Sequence, residues 1–184
     1  MNSKTKLGLI IVAIIAAFTL LFVGVGFGIQ NTAISYEEQI KDSNSNIKVQ
    51  EKRRADLIPN LVDCVKAYDK HEYQTIMDVV KARGSSSDEA AAEVQTMISA
   101  VAEAYPELKS NSNYKELMNE LTITENHIAN YRSSYNGVVK EYKQFVRKFP
   151  NSQFLGLFGY QVENYEYLSY NTSQDAPTNL FGDK

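Results

Sequence analysis

Cysteine, tryptophan, proline and strand-forming segments are what this sequence has least of. The chain carries one cysteine, no tryptophan, four prolines and nine glycines in 184 residues. A lone Cys64 excludes an intrachain disulfide and a multi-cysteine zinc cluster, and it falls near an apolar helix face, as a small core residue would. Strand signals are nearly absent, and residues 31–83 contain no glycine and only Pro59, so one long helix, or two in series, is expected there. Two of the 19 Lys and Arg sit at the extreme N-terminus, which leaves the remainder acidic against 22 Asp and Glu. That balance argues against bulk nucleic-acid binding, which needs phosphate neutralisation.

Catalytic and cofactor patterns are also missing. His71-Glu72 begins like a zinc-binding HExxH helix, but Thr75 stands where the second histidine would be, and His127 is far along the chain. The glycines of Gly24-Val-Gly-Phe-Gly28 follow no strand and cannot form a phosphate loop. No triad or paired-carboxylate pattern stands out. No catalytic residue, metal or cofactor is expected.

Charge is absent from Leu7 to Ile29, a run of 23 residues. At about 1.5 Å per residue it reaches roughly 34 Å, enough to cross a hydrocarbon core of about 30 Å. The run exceeds a signal-peptide core and no small-x-small cleavage site follows, so it is read as a membrane anchor. Lys4 and Lys6 precede it, while Glu37, Glu38, Lys41 and Asp42 follow. This weak asymmetry favours an internal N-terminus and an external domain. Within the run, Gly24 and Gly28 are either spaced to bring helix backbones together in lipid, with Gly26 off that face, or are small residues merely tolerated in a span.

Beyond the apolar run the pattern is helical. Ile58, Leu61, Val62, Val65, Ile76 and Val80 keep a helical period, whereas Lys41 to Asp56 hold only three apolar residues and read as a solvated face or one that meets a polar surface. Gly84 is a plausible stop, Ser85–Ser87 with Asp88 and Glu89 a plausible start, and Pro106 an end. From about Asn113 to Phe149 two seven-residue series interleave: Tyr114, Leu121, Ile128, Tyr135, Tyr142, Phe149, and Leu117, Thr124, Tyr131, Val138, Phe145. They predict a packed seam about 55 Å long, interrupted by Thr124. After Pro150 the apolar clusters FLGLF and NLF are too short to span a membrane, and docking on the bundle is favoured over insertion at its surface.

Seven-residue steps from Ile40 and Ile47 reach Arg54, then Leu61 and Tyr68. Arg54 therefore falls on the packing face, where a guanidinium needs a partner. Glu125, beside the Thr124 interruption, is the expected partner of Arg54 or Arg53 in a polar layer that fixes register, the alternative being a surface arginine that snorkels its charge to water. Pro59 either kinks a continuous helix, the favoured reading, or opens a new one capped by Asp56.

The segment Lys52 to Glu72, KRRADLIPNLVDCVKAYDKHE, closely resembles the signature of bacterial LemA-type proteins. So do ELTITENHI from Glu120 to Ile128 with Arg132, Tyr135 and Asn136, and Phe149-Pro150 followed by Phe158-Gly159. The chain departs from that pattern in lacking a tryptophan before the first motif, in Glu51 where an apolar residue is usual, and in Lys143 where an asparagine is usual. The resemblance implies an all-α protein: an N-terminal transmembrane helix followed by an elongated antiparallel bundle of long helices. It implies a membrane-anchored accessory or scaffold role without an agreed chemical activity.

The expected organisation is residues 1–29 as tail and transmembrane helix, 30–149 as helical bundle and 150–184 as a tail with short docking segments. The expected function is a non-enzymatic, single-pass scaffold of the bacterial cell membrane. Its partners would be lipid and further copies of itself. An adaptor for another membrane protein, such as a membrane protease, is the alternative.

Overall fold

The computed structural model describes residues 3–83 and 87–169, and every regular element in them is helical: α1 (Ser3–Lys66), α2 (Lys70–Arg83), α3 (Asp88–Ala104), α4 (Pro106–Ser110), α5 (Ser112–Arg147) and α6 (Asn151–Leu157). The all-α expectation holds. Gly84 and the NLF cluster lie outside the described residues.

Helix α1 is 64 residues long and passes without a break from the apolar run, across residues 29 and 30, through Pro59 to Lys66. Pro59 therefore does not open a new helix, and the Asp56 carbonyl accepts from Asn60 Nδ2 at 3.0 Å inside the continuous helix. The break comes later, at residues 67–69. There Asp69 Oδ1 accepts from the backbone N–H groups of His71 and Glu72 at 2.9 and 3.0 Å, and so caps α2. The His71-Glu72 pair is thus the first turn of a helix. Ser87 caps α3 by accepting from the Ala90 N–H at 3.3 Å, and Asn111 caps α5. Pro106 does more than end α3. It occupies the first turn of α4, where its missing N–H costs no helical bond.

Helices α1 and α5 form an antiparallel stem, fixed by contacts such as Tyr36 with Phe145 and Tyr142 with Glu37. Along α1 the inward residues climb in sevens: Gly26, Ala33, Ile40, Ile47, Arg54 and Leu61 are all buried. On α5 the first series packs as expected from Tyr114 to Tyr142, but Phe149 is 83% exposed. In the last two heptads Val139 and Val146 take the buried places, and Val138 and Phe145 turn partly outward. A helix near 3.6 residues per turn drifts about 20° per heptad, which carries the contact line onto the next residue.

The core is in two pieces. The distal piece joins Ile58, Leu61, Val62 and Val65 of α1 to Ile76 of α2, Val94, Ile98 and Val101 of α3, Leu108 of α4 and Leu121 of α5. There the chain runs up, down, up and down as a four-helix packing. The proximal piece joins Ala33, Ile40 and Ile47 to Tyr135, Val139, Tyr142 and Val146, and is closed by Leu155 of α6. Gly159, at φ +67°, turns the chain out of α6 into an extended strap over residues 160–169. Asn136 holds the strap by donating to the Leu168 carbonyl and accepting from its N–H, both at 2.8 Å. The tail thus docks on the bundle as far as it is described.

Candidate functional site

Between the two apolar pieces lies a layer of charge. Arg54 is 1% exposed and is the largest fully buried side chain among the described residues. Its Nη1 donates to Asp88 Oδ1 at 2.9 Å and to both carboxylate oxygens of Glu125 at 3.2 Å. Asp88 is shared. It also accepts from Arg132, whose Nη2 donates to Asp88 Oδ1 at 3.1 Å and to Glu51 Oε1 at 2.9 Å. Thr124, the interruption in the α5 series, is fully buried beside Glu125 and satisfies its hydroxyl on the Glu120 carbonyl at 2.8 Å. Outside the layer, Arg53 reaches Glu120, with both side chains well exposed.

Three elements converge here for local reasons. The α1 heptad aims Arg54 inward. The start of α3 delivers Asp88 at the electropositive end of a helix. The step of seven from Glu125 on α5 brings Arg132 to the same face one heptad on. Burial acts to raise the Asp88 carboxyl, but the hydrogen bonds and charges of Arg132 and Arg54 outweigh it and hold the group below its ordinary value. Arg132 is pushed up, chiefly by its hydrogen bond to Asp88 and, against the cost of burial, by Glu51.

The arrangement has a sharp consequence for alignment. A slip of α5 by one heptad would set Arg54 opposite Met118, leaving the guanidinium without Glu125, or opposite Arg132, a like charge. Apolar residues repeat in sevens on both helices and would accept such slips. The charged layer does not.

Arg54, Arg53 and Glu125 thus all carry interhelical ion pairs, with Arg54 on Glu125 and Arg53 on Glu120. Asp88, Glu51 and Arg132 complete the layer and are not among the site residues expected from the sequence. Pro59 lies five residues beyond Arg54, inside α1 and partly buried. Gly24 and Gly28 face open space, where an added Cβ would meet nothing within 4 Å. Gly26, off their face, is the glycine with a close neighbour: a Cβ there would collide with the Phe158 ring. Cys64 is partly buried against the distal core, and burial pushes its thiol up, away from a reactive thiolate. Among the described residues no three His, Cys, Asp or Glu side chains are grouped to hold a metal ion.

A second polar cluster lies in the proximal half. Tyr142 and Tyr160 both donate to Glu37 Oε1, Tyr142 at 2.9 Å, and the Tyr142 oxygen accepts from the Glu163 N–H at 3.1 Å. Burial, with the Glu37 hydrogen bond, pushes Tyr142 up to about 12, and Tyr160 is raised for the same reasons.

These features define an all-α chain whose N-terminal helix contains one stretch long and apolar enough to cross a membrane. The chain belongs to the LemA family, whose model matches residues 43–181 and so takes in the layer, the distal core piece and most of the tail, while Ala33 and Ile40 of the proximal piece precede it. No curated protein matches it.

Proposed function

We propose that this protein is a non-enzymatic scaffold, anchored in the bacterial cell membrane as a single-pass protein, that self-associates through its transmembrane helix and its bundle. The observation that carries this reading is the continuity of α1, one 64-residue rod from the apolar run into the ion-paired stem. With no flexible linker between them, any pairing of spans in lipid constrains how the bundles meet. Gly24 and Gly28 support it: no described residue lies against their face, which is open to a second helix at close range. The layer around Arg54 would keep α1 and α5 in one register, so that every copy presents the same surface. The charge asymmetry around the apolar run favours the bundle on the external side.

Purification in a mild detergent, with mass measured by light scattering, tests the reading. A large homogeneous homo-oligomer that falls apart in the Gly24→Leu, Gly28→Leu double variant is the expected result. A monomer that captures one membrane protein, such as a protease, would replace the scaffold with an adaptor.

A further inference from the structure

We propose that the end of α5 and the whole of α6 form a foot that sits on the membrane surface and takes up anionic phospholipid headgroups. This rests on the membrane anchoring of α1. Helix α6 packs beside the last two turns of the apolar run, with the Phe22 and Phe154 rings 4.6 Å apart and the Phe27 and Phe158 rings 5.7 Å apart. Phe22 lies seven residues inside Ile29, about 10 Å along the helix. If residues 7–29 are in lipid, α6 is at the lipid boundary. Two large apolar side chains face outward here, Leu157 at 69% exposed and Phe149, just before α6, at 83%, beside the exposed Gln153. Leu155 is buried in the proximal core, so the foot is held to the stem and cannot turn these residues inward.

Above the foot the charge is positive. Lys140, Lys143, Arg147 and Lys148 line one open groove at the end of α5, with Gln144 and Tyr167. Lys143 stacks its ammonium over the Tyr167 ring at 4.6 Å, while the other three cations are exposed. The antiparallel register that sets Phe145 with Tyr36 and Tyr142 with Glu37 puts Arg147 and Lys148 close to one turn beyond Ile29. That is about 5 Å past the hydrocarbon edge, within a headgroup layer of roughly 5–7 Å per leaflet. Lys143 and Lys140 follow one and two turns above, within about a Debye length of that layer.

The nearby carboxylates offset this face only in part: Glu141, Glu163 and Glu166 are exposed, but among the described residues four cations and no acidic residue line the groove. Glu37 is turned inward to two tyrosines and Glu38 is paired with Lys41 at 2.7 Å. Glu141 is the only acidic residue between Glu125 and Glu163. Exposed apolar residues below and basic residues at headgroup height together form an interfacial anchor for anionic lipid.

The absence of tryptophan gives a direct test. Single-tryptophan variants Leu157→Trp and Phe149→Trp of the full chain are placed in lipid nanodiscs containing phosphatidylcholine and phosphatidylglycerol, either of them brominated high on its acyl chains. Phe18→Trp, midway along residues 7–29, reports on the span with lipid brominated near the acyl-chain ends, and Val49→Trp reports on the bundle well above the membrane. Leu157→Trp and Phe149→Trp are expected to be quenched, at least about threefold more strongly by brominated phosphatidylglycerol than by phosphatidylcholine at equal mole fraction. Adding Lys140→Gln, Arg147→Gln and Lys148→Gln should erase that preference and leave the helical circular dichroism unchanged. Quenching of Phe18→Trp alone would overturn the foot and keep the anchor. No quenching of Phe18→Trp would overturn both. Equal quenching by the two lipids, or a preference that survives the triple change, would overturn the headgroup site.

Discussion

The two halves of this molecule are built on the same two helices and held by different means. In the distal half α1 and α5 are joined by α2, α3 and α4, and each of these elements adds side chains to one apolar cluster. In the proximal half, among the described residues, α1 and α5 have only α6 and an extended strap for company, and tyrosine hydroxyls do much of the closing. The ion-pair layer sits where one scheme gives way to the other. A two-helix stem thus runs from the apolar helix to a four-helix head, with the ion-paired layer at the boundary between them.

Matched truncations probe the contrast between the halves most forcefully. Ile58 and Ile40 are both 1% exposed, one in each half. Ile58→Ala is expected near the upper end of the roughly 2–5 kcal/mol range for such changes, and Ile40→Ala near the lower end. The reason is that a stem walled by a strap can close around a cavity more easily than a four-helix core. Urea unfolding followed by circular dichroism would read both, and the reverse order would reject the contrast.

Next come the pH limits, which differ in sign. Asp88 titrates below its ordinary value of 3.8 in the fold, so its contribution is complete above that pH and is lost as pH falls through the lowered value. Tyr142 titrates above its ordinary 10, at about 12, so its contribution is complete below 10 and is lost as pH rises toward 12. Hydrogen exchange should show acid opening the layer first and alkali opening the proximal half first. One common opening at both extremes would deny that the halves are held separately.

Two smaller effects separate the halves further. Gly26→Leu should push Phe158 off α1 and speed exchange in residues 155–169, with the distal half unaffected. Arg53→Ala should cost only about 0.2–1 kcal/mol, because Arg53 and Glu120 are solvated and an exposed pair is weak.

How far the sequence led depended on the kind of signal. Periodicity along one helix placed Arg54 inward and put Glu125 near it, because both facts follow from counting in sevens. Residues 41–56 read as a solvated face or one meeting a polar surface, and they are some of each: Lys41, Lys48 and Lys52 are exposed, Glu51 and Arg54 meet Arg132 and Glu125, and Ile47 joins the proximal core. Asp88 and Arg132 escaped because their roles depend on where a loop delivers the start of α3, which no single helix encodes. Asp88 read simply as a favourable first-turn acid. The break at residues 67–69 did have a signal, since Asp69-Lys-His-Glu72 has the spacing of a capping box, but Pro59 is the stronger helix-breaking residue and masked it. The shift from Val138 and Phe145 to Val139 and Val146 reflects helix drift, which strict heptad counting leaves out. The strap has no period at all. Its placement rests on Asn136, Tyr142 and Glu37, each meeting residues more than 20 positions away.

The central claim is that Arg54 and Glu125 act together to align the stem. A double-mutant cycle of Arg54→Met and Glu125→Gln, measured by urea unfolding of the full chain in detergent, tests it most directly. The account predicts a coupling of about 1 kcal/mol or more, with Arg54→Met the costlier single change because it removes the shared partner of Asp88 and Glu125. Effects that add to within about 0.3 kcal/mol would contradict it.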